Sequence, residues 1–199
     1  MAKTKRVHRT MKTHFDIEKI VEKGIIINEL DYDRALIADR KLRLLAKDSL
    51  HFKNLRTKLR DILERYENAK WRDIDKIDAQ QLSESVKSEQ IAEQERQFIE
   101  NRKQSIRKKL KELDLTQENL AFILGHKSKT YMSELMNGIK PFTLKDLIII
   151  NRLLNIKMEV LIPAFLSKED QIKVKEAVRK LDKPKVKLNS NNLVTVFIQ

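Results

Sequence analysis

Glycine and proline rarely interrupt this chain, and that scarcity restricts it to long runs of regular structure. Only three glycines and three prolines occur among 199 residues. Because these two residue types most often end helices and form turns, their rarity predicts a mainly α-helical protein. Hydrophobic residues contribute 41% of the chain and charged residues 36%, so we expect a packed core beneath a highly charged surface.

Two of the three glycines divide residues 115–163 into short helices. Thr116 is predicted to cap the first helix, because its hydroxyl can accept a hydrogen bond from a first-turn amide. Gly125 is predicted to end it, since glycine adopts the left-handed backbone of a helix terminus without strain. A polar turn leads into a second helix that ends at Gly138. Two short helices joined by a glycine turn, the second with polar and basic residues outside, predict a helix-turn-helix.

This segment also resembles a known family. Its similarity to the Cro/repressor-type (XRE) helix-turn-helix rests on Leu115-Thr116-Gln117, Leu120-Ala121, Leu124-Gly125, Ser133 and Asn137-Gly138. A closer resemblance, to HigA-type antitoxins, rests on the residues from Ser133 to Gly138, those from Lys140 to Leu144, Leu153 and Glu159-Val160-Leu161-Ile162. The N-terminal part adds the stretches from Asn28 to Leu36 and from Leu63 to Glu67. One departure is the turn between Gly125 and Ser133, which is longer than the family's.

Residues 16–70 are predicted to form an N-terminal helical hairpin. Asp31 or Asp33 is expected to cap its first helix, and the second helix carries an apolar stripe at steps of three and four. The stripe consists of Phe52, Leu55, Leu59, Ile62 and Tyr66. A hairpin cannot bury such a stripe alone, so the stripe must pack on its partner helix, a second subunit or another protein. The isoleucines at 25–27 predict a short strand or a buried connector.

The other segments are assigned from their composition. Residues 1–15 form a basic arm without acidic residues, predicted to be disordered and either solvated or in contact with DNA phosphates. Residues 71–97 are predicted to be a helical linker, and residues 98–165 a five-helix repressor-type domain. In residues 166–199 we expect a basic helix and a short terminal strand. That strand would pair with its copy in a second subunit, with the isoleucine-rich segment above, or with a sheet edge of a protein partner.

The predicted DNA-binding residues lie in and around the second helix of the helix-turn-helix. Such a helix enters the major groove with its N-terminal residues at the base edges. Lysine can reach guanine acceptors there, and hydroxyls can contact bases or phosphates. The predicted residues are Gln117, Lys127, Ser128, Lys129, Thr130, Tyr131, Ser133, Glu134, Asn137 and Lys140. Tyr131 is equally compatible with core packing, and Ser128 with capping. The resemblance implies that Gln117 is a glutamine that clamps the DNA backbone.

Charge and composition exclude several other classes of function. The net charge of +13 favours an anionic partner, nucleic acid before membrane. No cysteine is present, so disulfide and thiolate chemistry are excluded. We find no phosphate-cradling glycine loop and no histidine–carboxylate grouping, and His8, His14 and His51 do not have metal-ligand spacing. The sequence therefore predicts no enzyme, cofactor, metal site or small-molecule substrate. Without a signal peptide or a bilayer-spanning apolar run, the expected compartment is the cytoplasm, with no membrane partner.

Together these features predict a basic, helical protein that binds a palindromic operator in double-stranded DNA as a homodimer. One short recognition helix makes few base contacts, and half-sites follow protein symmetry. The resemblance implies an antitoxin of a type II toxin–antitoxin module, which neutralises a HigB-like mRNA-cleaving toxin and represses its own operon. Two alternatives stay open. Either the chain is an XRE-family repressor without a toxin, whose N-terminal helices only dimerise, or its N-terminal part is a scaffold and DNA binding is secondary.

Overall fold

Helices account for all regular structure in the part of the chain that is described. A computed structural model describes residues 16–47, 49–72, 78–163 and 168–181, together with residues 183 and 186. Within those ranges there is no strand, which confirms the mainly α fold class. The helices there are α1 (Ile17–Lys23), α2 (Glu29–Leu45), α3 (Leu50–Lys70), α4 (Ala79–Glu112), α5 (Gln117–Leu124), α6 (Lys129–Asn137), α7 (Leu144–Leu154), α8 (Met158–Leu161) and α9 (Lys168–Leu181).

The C-terminal half of α4 packs with α5 to α8 around one hydrophobic core. Thr116 Oγ1 accepts from the amide of Asn119 at 3.1 Å, so the predicted cap of α5 is confirmed. The predicted end of α5 is also confirmed, because Gly125 has a left-handed φ of 82°. The fully buried members of this core include Ile106, Leu120, Leu135, Ile150 and Leu161. The predicted five-helix arrangement is therefore present.

Helices α2 and α3 form the predicted N-terminal hairpin, and all five residues of the apolar stripe on α3 are buried. The cap of α2 is Asn28, whose Oδ1 accepts from the amide of Asp31 at 2.8 Å. The prediction that Asp31 or Asp33 caps this helix is therefore wrong. The helix starts earlier because Asn28 and Asp31 exchange side-chain bonds across the first turn, with Asn28 Nδ2 donating to Asp31 Oδ2 at 3.1 Å.

Helix α1 is an element that the sequence did not predict. Its two isoleucines, Ile17 and Ile20, are buried in the hairpin core, and Val21 packs partly buried against it. The amide of Ile17 donates to the carbonyl of Ile139 at 3.1 Å, and the Ile139 side chain joins the same core. The loop after α6 therefore anchors α1. The isoleucines that follow α1 form a connector and not a strand, and only Ile26 among them is buried.

Helix α4 runs without interruption from the predicted linker into the helix-turn-helix domain. Asp78 caps its first turn. In its first half the small side chains of Ser88 and Ala92 are buried, and α2 packs there. Arg34 of α2 adds a bidentate ion pair with Glu95. The predicted division between residues 97 and 98 therefore lies inside one helix, which joins the hairpin to the domain.

Arg102 of α4 is part of the core, although the basic run in which it lies, with Lys103, Arg107, Lys108, Lys109 and Lys111, predicts a surface position. Only 1% of it is exposed, and its guanidinium lies 5.4 Å from the ring centroid of Phe98 and 5.2 Å from that of Phe142. It donates to the carbonyl of Leu161 at 3.3 Å. Burial lowers its pKa to about 10. The surface assignment failed because a stacked guanidinium can replace an apolar residue beneath two aromatic rings. The spacing of Ile106, Leu110 and Leu113 predicts that all three face inward, but Leu113 follows the end of α4 and is 49% exposed.

Some predictions fall on residues that are not described. The basic arm at 1–15 and the predicted strand at 193–198 both lie outside the described residues. Among the residues that are described, no helix has the length and apolar character needed to cross a membrane.

Candidate nucleic-acid interface

The N-terminal end of α6 projects from the domain as an exposed basic surface. Ser128 caps the helix, its Oγ accepting from the amide of Tyr131 at 3.2 Å. The opposite face of the helix is anchored in the core by Met132, Leu135 and Met136. The residues that remain accessible at this end are Lys127, Ser128, Lys129 and, in part, Thr130. A firmly packed helix thus presents its N-terminal end to solvent, with Lys127 just before the cap, the cap Ser128 and the first helical residue Lys129.

Lys129 forms an ion pair with Glu118 of α5, the Nζ–Oε1 distance being 2.7 Å. The two side chains are 78% and 62% exposed, so solvent screens the pair and it adds little to stability. An anionic ligand can therefore displace Glu118 from the Lys129 ammonium at small cost.

A second basic feature lies between the end of α4 and the start of α5. An open groove of about 500 Å³ is lined there by Arg107, Lys111, Thr116 and Gln117, among others. The backbone amides at the start of α5 add a partial positive charge. Gln117 therefore stands beside two cations that the sequence did not place in the DNA-binding set. Arg107 and Lys111 belong to a run of lysines and arginines in the second half of α4, and this run was the signal that could have indicated them.

Tyr131 and His126 contact each other across the turn between α5 and α6. Their rings meet edge to face, with centroids 4.9 Å apart. His126 Nε2 lies 3.2 Å from Asp146 Oδ1, and Lys140 Nζ lies 5.0 Å from the centroid of the Tyr131 ring. Tyr131 also packs against the buried core of the domain. These contacts favour the core-packing interpretation of Tyr131.

The C-terminal half of α6 contacts α2 and α4. Asn137 Oδ1 accepts from Lys103 Nζ at 2.9 Å, and its backbone carbonyl accepts from Lys41 Nζ at 2.9 Å. Its Nδ2 donates to the carbonyl of Ser133 at 2.8 Å. Burial, assisted by neighbouring cations such as Lys103, lowers the pKa of Lys41 to about 8. The side-chain amide and the backbone carbonyl of Asn137 are therefore already hydrogen-bonded within the protein.

Glu134 and Lys140 belong to a charged network that joins α6 to the N-terminal helices. Only 2% of Glu134 is exposed, and its Oε1 lies 2.6 Å from His51 Nε2. Lys140 Nζ lies 3.1 Å from Glu134 Oε2 and 2.7 Å from Glu18 Oε2. Burial raises the pKa of Glu134, while hydrogen bonds from Lys140 and His51 oppose that shift. Burial lowers the pKa of Lys140, but the two carboxylates outweigh it and leave that pKa above its usual value.

This network contradicts the expectation that the chain contains no histidine–carboxylate grouping. His51 and Glu134 are 83 residues apart in the chain and come from different helices. No spacing rule reaches over that distance, so the sequence could not reveal the pair. A second grouping joins His126 to Asp146.

The ten predicted DNA-binding residues therefore divide into two sets. One set lies together at the start of α5, the turn and the start of α6, and consists of Gln117, Lys127, Ser128, Lys129, Thr130 and Tyr131. The other lies on the later part of α6 and just after it, and consists of Ser133, Glu134, Asn137 and Lys140. In the first set Lys127, Ser128 and Lys129 are exposed and the others are half-buried, whereas no member of the second set is exposed.

The geometry agrees with a comparison with known protein families. Residues 106–161, from the second half of α4 to the end of α8, match the family described as Helix-turn-helix. No curated protein and no solved structure matches the chain. This segment is a helix-turn-helix domain of the XRE type, and the match supports a DNA-binding transcriptional regulator.

Proposed function

We propose that this protein is a repressor that reads operator DNA with the N-terminal end of α6. The observation that carries the proposal is the exposed N-terminal end of that helix, where the side chains of Lys127, Ser128 and Lys129 are all exposed to solvent. A helix-turn-helix inserts this end of its second helix into the major groove. Lysine ammonium groups then reach the O6 and N7 acceptors of guanine, and the hydroxyls contact bases or phosphates.

The groove beside α5 is proposed to bind the DNA backbone. Gln117 donates its amide to a phosphate oxygen, supported by the amides at the start of the helix. Arg107 and Lys111 line the same groove and supply positive charge to it. Phosphate contacts of this kind position the protein on the duplex and leave the reading of sequence to α6.

The later residues of α6 are proposed to orient the recognition helix. Glu134 contacts His51, and the carbonyl of Asn137 accepts a hydrogen bond from Lys41. Lys140 forms an ion pair with Glu18. These contacts fix the helix against the N-terminal hairpin and α4. The proposed base-reading residues are therefore the exposed ones at the start of α6, Lys127, Ser128 and Lys129.

The proposed operator is palindromic and bound by a homodimer. The exposed end of α6 is one short helical turn, which reads only a few base pairs. Two copies related by a two-fold axis double the number of base contacts and require half-sites of matching symmetry.

DNA binding is tested by fluorescence anisotropy, in which the protein is titrated into the DNA upstream of this gene. The titration is repeated at several salt concentrations between about 50 and 200 mM. If four or more phosphates are contacted, the logarithm of the affinity falls against the logarithm of salt with a slope steeper than about −3. A flat affinity over the same range would contradict the proposal. A scrambled duplex of equal length is the control, and it should bind more weakly at every salt concentration.

The second candidate function is neutralisation of a HigB-like toxin, and a contact within the hairpin favours it. The two N-terminal stretches that resemble HigA-type antitoxins lie on different helices and meet. Tyr32 donates to Glu67 Oε1 at 2.8 Å, and its ring stacks on that of Tyr66 with centroids 5.0 Å apart. The resembling residues thus form one structural unit, whose outward face is available to a protein partner.

Toxin neutralisation is tested by inducing the open reading frame that neighbours this gene in a bacterial host, alone and together with this protein. Growth arrest alone and rescue on co-expression would support the antitoxin. The Lys129→Glu variant should rescue equally, because its change is remote from the hairpin. Absence of toxicity, or toxicity without rescue, would contradict the antitoxin and leave the repressor.

A further inference from the structure

Three side chains able to bind a metal ion meet where the N-terminal helices touch the recognition helix. Glu18 comes from α1, His51 from α3 and Glu134 from α6. One ligand atom from each lies within 4.8 Å of the other two. His51 Nε2 is 2.6 Å from Glu134 Oε1 and 3.6 Å from Glu18 Oε1. The fold therefore gathers a nitrogen and two carboxylate oxygens around one point.

The separations of these atoms suit a small divalent cation. Bonds of about 2.0–2.2 Å in a tetrahedral zinc site place neighbouring ligand atoms roughly 3.4 Å apart. The distances from His51 Nε2 to the two carboxylates lie on either side of that value. Small side-chain rotations are enough to equalise them. The hydrogen bond between His51 and Glu134 would be replaced by two bonds to the metal.

An open route leads to the cluster. A groove of about 330 Å³ is lined by Glu18 and His51 together with Glu22 and Asn54, among others. The His51 side chain is 46% exposed, whereas Glu134 closes the inner side of the cluster with 2% exposure. An ion can therefore enter from solvent, and water in the groove can supply a fourth ligand.

We propose that Glu18, His51 and Glu134 form a binding site for a divalent first-row transition metal ion of the Zn²⁺ class. The mixed imidazole and carboxylate ligands favour such an ion over Mg²⁺, which prefers an all-oxygen octahedral site. Because each ligand comes from a different helix, the bound ion fastens α1 and α3 to the recognition helix α6. This site goes beyond DNA binding and does not depend on it.

Lys140 is the competitor for this site. Its ammonium lies 2.7 Å from Glu18 and 3.1 Å from Glu134, so without metal it neutralises the same two carboxylates. The metal must displace it or work against its charge. Removing that charge should therefore strengthen metal binding, whereas an ion bound elsewhere on the protein would not respond.

The test is isothermal titration of the chelator-treated full-length protein with Zn²⁺, in parallel with Mg²⁺. We expect saturable Zn²⁺ binding at one site that Glu18→Gln and His51→Ala each weaken by about 100-fold. Lys140→Met should tighten it by about tenfold. His126→Ala is the matched control, because His126 has a single carboxylate partner and should leave the site intact. His8→Ala/His14→Ala should also retain it, which separates this site from the histidines of the basic arm.

Two outcomes would overturn the proposal. One is the absence of saturable Zn²⁺ binding to the wild-type protein. The other is binding that survives both Glu18→Gln and His51→Ala. Circular dichroism of each variant confirms that it is folded, and Zn²⁺ should raise the melting temperature of the wild-type protein but not that of His51→Ala. DNA binding measured in EDTA tests the repressor separately, so failure of one proposal is distinguishable from failure of the other.

Discussion

Asp33 is an acidic residue in a place that disfavours its charge. Its Oδ2 is buried without a hydrogen-bond partner among the described residues. Burial, reinforced by the nearby carboxylates of Glu29 and Glu89, raises its pKa from 3.8 to about 6. The folded protein therefore binds this proton more tightly than the unfolded chain. The protonated carboxyl of Asp33 thus stabilises the folded protein relative to the ionised one. This contribution is fully present below the unfolded pKa of 3.8 and is lost as the pH rises through about 6.

Replacing Asp33 by asparagine should accordingly stabilise the protein at neutral pH. We expect a gain of about 1 kcal/mol in the free energy of unfolding at pH 7, after allowance for solvent screening, because the ionised carboxylate is removed. The gain should shrink toward zero as the pH falls to about 4, where the wild-type carboxyl takes up its proton in the fold. Urea unfolding at several pH values measures it. Asp61→Asn, on the exposed side of α3, is the control, and an Asp33→Asn effect that does not change with pH would refute this account.

At the scale of elements, the backbone at the end of α6 packs so closely against α4 that only glycine fits there without a clash. Gly138 has a φ of 70°, and a Cβ added to it would lie 2.8 Å from both Cδ1 and Cγ2 of Ile99. Gly24 ends α1 with nearly the same backbone, a φ of 68°, but an added Cβ would meet nothing within 4 Å. The two glycines therefore separate the cost of a left-handed backbone from the cost of a steric clash.

We expect Gly24→Ala to cost about 1 kcal/mol, the strain of an alanine in the left-handed region. Gly138→Ala should lower the free energy of unfolding by about 1–3 kcal/mol more than Gly24→Ala does, because the Ile99 side chain or the helix must move. Chemical denaturation of both variants gives the comparison. In a double-mutant cycle, Ile99→Ala should recover part of the loss at Gly138. Equal costs at Gly24 and Gly138, or no coupling to Ile99, would show that α4 and α6 do not meet this closely.

The elements also show what the sequence could and could not predict. Helix α5 was predictable because its cap at Thr116, its apolar face and its stop at Gly125 all lie within a few neighbouring residues. The continuity of α4 was not, because its first half buries small or polar side chains such as Ser88 in place of an apolar stripe. Helix α1 was missed because its apolar face is short and packs against Ile139, far along the chain. Local patterns thus predict an element well when its packing partners are also local.

At the scale of the whole molecule, the N-terminal helices and the helix-turn-helix domain are joined by contacts between distant residues. Lys41 and Asn137 are 96 residues apart, and His51 and Glu134 are 83 apart. These contacts hold the later half of α6 and leave residues 127–129, at the start of the helix, exposed. The candidate site could be predicted from the helix-turn-helix motif, but its division into an accessible and an engaged set depends on long-range packing that no local pattern encodes.

The central claim is that DNA is read at the start of α6, and one comparison of charge reversals tests it most directly. Lys129→Glu and Lys58→Glu change the net charge equally, but Lys129 begins α6 whereas Lys58 lies on the exposed face of α3. In anisotropy titrations with the upstream DNA, we expect Lys129→Glu to weaken binding at least about tenfold, through lost contacts and like-charge repulsion by DNA. Lys58→Glu should stay within about threefold of wild type, since only long-range charge is altered. Equal losses for the two variants would contradict the account, because DNA would then respond to overall charge and not to α6.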